Sequence, residues 1–295
     1  MLPGDSLLTF DRSLQRLSLF DAQGELVTTA RVSAPGAPPL QEPVNIAGSA
    51  DLLTMAFVGQ DPSDPGPYFV SQVVGVYDRE LGTYHALDTV GGAEAALVER
   101  EGRLVPAIVP FGRKSDFAAS AEHVYVMDGR DETTIRVYAV DGYQLVRLLR
   151  FVFPRPEIDQ AMTDRWVASF LEKNRHVFAD ERVAEMWRYG FSRVSPPARI
   201  PPFRSLEVDQ DGDLCAERYG PTEVAPPEFW CFTPLGEYVR SVVLPSAPRR
   251  TGFPHQDPQL GLGGDDVLGV WEDELGIQSV RAYPLRPAGR GSGRN

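Results

Sequence analysis

Three aspartates at alternate positions, Asp209, Asp211 and Asp213, form the densest run of metal-type ligands in the chain. Carboxylates so spaced begin a helix–loop–helix calcium site, which also needs glycine at the sixth position and glutamate at the twelfth. Those positions hold Leu214 and Gly220. The aspartates are better read as turn formers, whose side chains bond their own backbone. Gly4-Asp5-Ser6-Leu7 would supply a serine nucleophile only with an Asp-x-x-His partner, yet the residues three before the four histidines are Gly82, Ser120, Lys173 and Gly252. That stretch reads as a hairpin turn opening a strand. His85, His123, His176 and His255 lack metal-ligand spacing. The glycine-rich 261–264 lacks the lysine and following helix of a phosphate loop. No cofactor is expected.

Around these residues the chain is a series of short strands. Residues 205–245 predict a four-strand meander with strands at 205–209, 214–219, 229–233 and 238–244. Branched and aromatic residues fill the runs, and Gly, Asp and Pro fill the gaps. A signature at the third strand and following turn recurs: Phe20 then Gly24, Tyr138 then Gly142, and Phe232 then Gly236, each aromatic four residues before its glycine. Tyr77 then Gly82 is looser by one residue, and Tyr283 begins a fifth copy. The glycine gives a tight hairpin turn its positive φ. The aromatics recur every 50 to 60 residues or so, with one longer interval, and four strands per period predicts propeller blades rather than a sandwich. The expected class is therefore all-β: a β-propeller of four-stranded antiparallel blades spanning 1–286, about five of them present.

The longer interval holds the one segment of helical period. Residues 163–173 place Trp166, Val167, Phe170 and Leu171 on one side, and 180–189 do the same with Val183, Met186 and Trp187. Thr163 and Asp180 are the expected N-caps and Gly190 the expected stop. The pair predicts a helical hairpin within 156–192, with Trp166 and Trp187 turned inward. Residues 91–114 read either as an extra hairpin around Glu101-Gly102 or as a continuation of an outer strand. Cys215 and Cys231 fall on neighbouring strands of one blade. A bridge there needs a close Cα pair, and the plainer reading is two half-buried thiols packed as small apolar side chains.

An apolar fraction of 42% suffices for a packed core. The net charge of −12 and pI near 4.9 oppose a nucleic-acid partner, which needs a basic footprint. No run approaches a membrane span, and the N-terminus lacks the basic and apolar regions of a signal peptide. The tail 287–295, rich in Gly and Arg, is expected to be disordered.

The order of several motifs resembles the six-bladed, NHL-like (TolB-like) β-propellers of bacterial exported proteins and lipoproteins, and within them a set of uncharacterised bacterial propellers. G-D-S-L-L-x-x-D stands at 4–11 and P-F-G-R at 110–113. I-R-V-Y followed by D-G-x-x-L-V-R spans 135–147 with one extra turn residue, a helical insertion follows, and L-G-V-W-x-D-E-L stands at 268–275. The resemblance covers nearly the whole chain. It implies a further blade and an export signal upstream, hence an N-terminally truncated chain and a periplasmic or surface location, and it implies no defined activity.

In a blade meander the loops divide between two faces. The short turns, such as those at 22–25 and 234–237, share one face. The long connections at 33–43, 59–67, 91–115, 154–204, 220–228 and 245–258 share the other, the expected binding face. Arg113, Lys114, Asp128, Arg130, Asp131, Trp271, Glu272 and Asp273, polar or aromatic residues near strand ends there, form the expected ligand rim. The expected function is a non-catalytic binding or scaffold propeller for a protein, peptide or glycan. The alternative is a metal-dependent hydrolase or lactonase, which would need carboxylates converging from first strands; Asn45, Asp116 and Glu207 are its candidates.

Overall fold

The computed structural model describes residues 7–11, 14, 16–21, 23–31, 43–48, 52–58, 65–78, 83–175, 180–222, 225–244, 261–262, 266–272 and 278–284. The serine motif at 4–6, the loops 33–42 and 245–258, His176, His255, Asp273 and the tail 287–295 lie outside the described residues.

In chain order the strands are β1 (Leu7–Asp11), β2 (Arg16–Phe20), β3 (Leu26–Arg31), β4 (Pro43–Gly48), β5 (Leu52–Val58), β6 (Gly66–Phe69), β7 (Gln72–Asp78), β8 (Thr83–Val90), β9 (Glu94–Arg100), β10 (Arg103–Ile108), β11 (Asp116–Ala119), β12 (His123–Asp128), β13 (Asp131–Ala139) and β14 (Leu145–Arg150). Helices α1 (Gln160–Lys173) and α2 (Glu181–Phe191) follow. After them come β15 (Phe203–Val208), β16 (Leu214–Arg218), β17 (Glu228–Phe232), β18 (Tyr238–Val243), β19 (Gly261–Leu262), β20 (Asp266–Glu272) and β21 (Gln278–Pro284). Three sheets are four-stranded meanders: β4-β5-β7-β8, β11-β12-β13-β14 and β15-β16-β17-β18. β1-β2-β3 and β19-β20-β21 are three-stranded, and β10-β9-β6 is a sixth sheet outside the repeat. The chain is an all-β protein of propeller blades with a helical hairpin inserted.

Register makes the repeat physical. Each marker aromatic lies directly opposite an aliphatic residue of the preceding strand: Phe20 opposite Leu7, Tyr77 opposite Leu53, Tyr138 opposite Val124, Phe232 opposite Leu214, and Tyr283 opposite Val267. β1 therefore occupies the second-strand place of its blade. Pairing with the outer strand slips by one residue just before Phe20, Tyr138 and Phe232. A bulge there increases local twist and re-aims the aromatic. Gly24, Gly142 and Gly236 in the following turns have φ of 80°, 75° and 88°, the left-handed region that glycine enters at little cost.

The chain forms two compact units, one of 1–63, 69–93 and 114–151 and the other of 64–68, 94–113 and 152–295. In the first, Val74, Val76 and Val90 of one blade pack with Phe117, Val124, Val126 and Tyr138 of the next. In the second, Cys215, Phe229, Cys231, Val242, Leu244, Leu262 and Val267 form one core, and Phe111, Trp166, Phe170 and Phe191 form another.

Of the two readings of 91–114 the extra hairpin is the one observed, and three expectations are corrected: the start of α1, the state of the cysteines and the role of Gly190. The segment 91–114 is a hairpin of its own, β9 with β10, and the end of the 59–67 loop joins it as β6. α1 starts at Gln160, three residues early, because the Asp159 carboxylate accepts from Met162 N at 2.7 Å, while Thr163 Oγ1 donates inside the helix to Asp159 O. Cys215 and Cys231 are joined as a disulfide, not present as thiols. They stand directly opposite each other with Cα atoms 4.0 Å apart, the approach of a non-hydrogen-bonded strand pair. Asp180 does cap α2, accepting from Arg182 N, but Gly190 lies inside that helix. Its Cα abuts Ala107, whose Cβ would lie 3.2 Å from an added methyl.

Candidate functional site

In the first unit, Asp128 and Arg130 come together as parts of a joint between blades. Asp128 ends β12 with its side chain only 3% exposed. Its Oδ1 accepts from Gly91 N at 2.9 Å, Arg130 N at 3.0 Å and Arg130 Nε at 3.1 Å. Its Oδ2 accepts from Arg130 Nη2 at 2.9 Å and Arg136 Nη2 at 3.0 Å. Arg136 reaches on to Asp88 of β8 through Nη1, and Tyr138 donates to the same carboxylate at 2.7 Å. Burial would raise the Asp128 pKa, but Arg130, the Gly91 N–H and Arg136 together hold it down to about 2. Burial and the Asp88 carboxylate push the Tyr138 phenol up to about 12. The lone pairs of Asp128 are thus committed to the protein itself. Arg130 is half exposed but donates to Thr89 O at 2.8 Å. Asp131 is exposed and accepts from Thr133 Oγ1, and Lys114 forms a β-bridge with Ala93.

In the second unit, Arg113 belongs to a different assembly. Its guanidinium grips Glu94 with Nε at 2.9 Å and Nη2 at 2.7 Å, and its own N–H donates to the same carboxylate at 3.0 Å. Bidentate pairs of this kind fix geometry as well as charge. Two residues earlier, Phe111 adopts a left-handed φ of 54° and is fully buried. Its ring lies 5.9 Å from Trp166, which stacks on Phe170 at 5.3 Å, and Phe191 closes the cluster edge-on. Trp187 packs against it half-buried, and the Tyr219 hydroxyl donates to Gly112 O. The 110–113 motif therefore plugs the hairpin into the helices. Tyr189 of α2 adds a bond to Glu99 O at 2.7 Å. β6, β9, β10, α1 and α2, drawn from three long connections, fold into this one unit as an accessory module.

The module carries a feature that the sequence reading missed. The guanidiniums of Arg100 and Arg193 lie 5.4 and 5.3 Å from the Tyr189 ring centre. Arg103 stands directly opposite Arg100 in the hairpin, whose Glu101-Gly102 turn has φ of 53° and 74°. The signal was legible in part: a two-residue turn with both φ positive pairs the residues flanking it. Its alignment with the helix was not.

Trp271 and Glu272 lie at the end of β20 in the second unit, and Asp273 is outside the described residues. Among the metal candidates, Asn45 and Asp116 occupy equivalent places in β4 and β11, three residues before the partner of the strand-two aliphatic. The equivalent place in β15 is Ser205, with Glu207 two residues along, so the three do not share one level of the repeat. The Asp209 carboxylate accepts from Asp211 N at 3.0 Å and Asp213 N at 2.9 Å, as a turn former does, and its other oxygen accepts from Arg240 at 2.7 Å. Asp209, Cys215 and Cys231 have ligand atoms within 4.8 Å of one another, but both sulfurs are in the disulfide. No helix among the described residues is long and apolar enough to cross a membrane.

No protein-family model matches the chain, and no curated protein matches it. Solved structures do. A protein of unknown function from Bacteroides caccae is 10% identical, with a TM-score of 0.36 over 96% of this chain and 69% of that one. The WD40 repeats of RRP9 are 13% identical, with a TM-score of 0.36 over 96% and 77%. U3-55K is 11% identical, with a TM-score of 0.33 over 95% and 92%. Similarity at this level carries no ligand or activity across to this chain.

Proposed function

We propose that the chain is a non-catalytic binding or scaffold propeller, of the six-bladed NHL-like kind its motif order resembles, and that the accessory module is where a protein partner is held. The observation that carries this reading is the convergence of 94–113 and 152–202 around Phe111 and Trp166, with a third connection paired to the same hairpin as β6. Elaboration concentrated in one place on a repeat scaffold is the usual mark of a binding surface. The carboxylates nearest the expected rim support it from the other side. Asp128 and Glu94 have their oxygens committed to arginines and backbone N–H groups, which makes them joints rather than ligands for a metal or a substrate.

The test is site-specific photo-crosslinking in the cells that make the protein. A photoreactive residue replaces exposed Leu104 or Met186 of the module, or exposed Val27 or Val243 of outer strands. The expected result is a discrete protein adduct from the module positions. Adducts confined to Val27 or Val243 would contradict the reading. So would turnover of lactones by the purified protein with added calcium or zinc.

A further inference from the structure

We propose that Arg100, Arg103, Tyr189 and Arg193 form a carboxylate-reading site that takes a short acidic protein segment; the inference rests on the module being the partner surface. Acidic residues outnumber basic ones by 41 to 29 in this chain. Several arginines elsewhere find carboxylates: Arg113 pairs with Glu94, Arg136 with Asp88 and Asp128, Arg218 with Glu228, and Arg240 with Asp209. Arg100, Arg103 and Arg193 have no such partner among the described residues, although Glu99, Glu101 and Glu185 are near in sequence.

The like charges are held together. Arg100 and Arg103 are a directly opposed strand pair, an unfavourable arrangement for two cations. Arg193 is brought to the same ring by the end of α2, where its N–H donates to Gly190 O at 3.0 Å. The Tyr189 ring attracts each guanidinium through its π system, which does not use the planar N–H edge. That edge matches a carboxylate bidentately. A bound anion would relieve the repulsion.

The size of the patch selects the ligand. Three guanidiniums on a hairpin tip and a helix end neutralise a few charges, whereas a nucleic acid is held through about six to ten phosphate contacts. Met186, 38% exposed and three residues before Tyr189 on α2, offers apolar contact at the margin. An acidic peptide containing an aliphatic residue fits that combination, and a free inorganic anion would use only half of it.

The experiment titrates the full chain with a fluorescein-labelled acidic heptapeptide of Glu and Asp around a central Leu. Parallel arms use inorganic phosphate and a single-stranded oligonucleotide as competitors. The peptide is expected to bind, with affinity falling about tenfold or more in Arg100→Ala/Arg193→Ala and in Tyr189→Ala. Arg193→Lys, which keeps the charge but not the fork and leaves packing alone, should weaken binding by a smaller factor. Arg175→Ala removes the same charge from an exposed arginine just past the end of the other helix and should leave affinity within about twofold. No binding up to millimolar peptide, equal losses from Arg175→Ala and Arg193→Ala, or displacement by oligonucleotide at lower concentration than by unlabelled peptide would each overturn the proposal. If the double variant still yields the Met186 crosslink undiminished, the carboxylate site is wrong and the module reading stands. If wild type gives no module crosslink, the module reading itself fails.

Discussion

The blade of β11–β14 and the blade of β15–β18 share one register and are held by different chemistry. Val124 faces Tyr138 in one as Leu214 faces Phe232 in the other, so positions correspond residue by residue. Tyr125 and Val137 of the first, both fully buried, become the Cys215–Cys231 disulfide of the second. Asp128, which binds Arg136 in the first, corresponds to Arg218, which lies 4.3 Å over the Trp230 ring and pairs with Glu228 at 3.3 Å. Ser120, whose hydroxyl caps the first turn by accepting from His123 N, corresponds to Asp209, which caps the same turn and also takes Arg240. The backbone pattern sets the blade, and each pair of positions is free to be filled by whatever packs, bonds or pairs there. Polarity reverses between the blades while register does not.

The comparison breaks most visibly at its buried charges. Asp128→Ala leaves Arg136 and Arg130 without their shared carboxylate, and should cost roughly 3 to 5 kcal/mol, read as a fall in the midpoint of chemical unfolding. Arg218→Ala, whose side chain is 34% exposed, should cost about 1 kcal/mol by the same measurement, because its cation–π and ion-pair contacts are partly solvated. Second in size, after Asp128→Ala, is the disulfide. It closes a loop with a sequence separation of 16, so reduction should lower stability by about 3 kcal/mol with the β15–β18 blade losing protection first.

Acid separates the blades by sign. The folded Asp128 pKa of about 2 lies below its ordinary 3.8, so its contribution is present above about pH 4 and is lost as pH falls toward 2. Asp128→Asn should therefore flatten the acid limb of stability against pH, by about 2 kcal/mol at most. Burial raises the Asp209 pKa against the donors that surround it. The folded state there takes its proton before the unfolded one, so this group favours folding as pH falls, and Asp209→Asn should steepen the acid limb. The smallest effects belong to the turns. Gly142 and Gly212, with φ of 75° and 84° and no crowding atom near an added Cβ, should each lose about 1 kcal/mol on substitution by alanine in thermal unfolding.

The repeat was legible in the chain because an aromatic and a glycine at fixed spacing do one physical job, a bulged strand end and a turn with positive φ. That job recurs at Phe20, Tyr138 and Phe232 in sequence and in register alike. The helices were legible from their apolar spacing, but their first cap was not, because Asp159 and Thr163 both suit a helix start and only the geometry selects Asp159. The disulfide was half legible: sequence places the two cysteines on adjacent strands, and only register makes them opposed. The site was least legible. Asp128 and Arg130 are polar residues near strand ends, as a rim requires, yet each finds its partner within the protein. The Tyr189 cluster depends on a helix end meeting a hairpin tip from nearly 90 residues away, a distance that no local pattern spans.

The central claim is that three distant connections make one body anchored by Phe111, and native-state hydrogen exchange tests it most directly. In wild type, the amides of β9, β10, α1 and α2 should share one opening free energy. Phe111→Ala should lower it in all four elements by roughly 3 to 5 kcal/mol, leaving the most protected amides of β11–β14 unchanged. Helices that exchange independently of β9 and β10, or that keep their protection in the variant, would contradict the account.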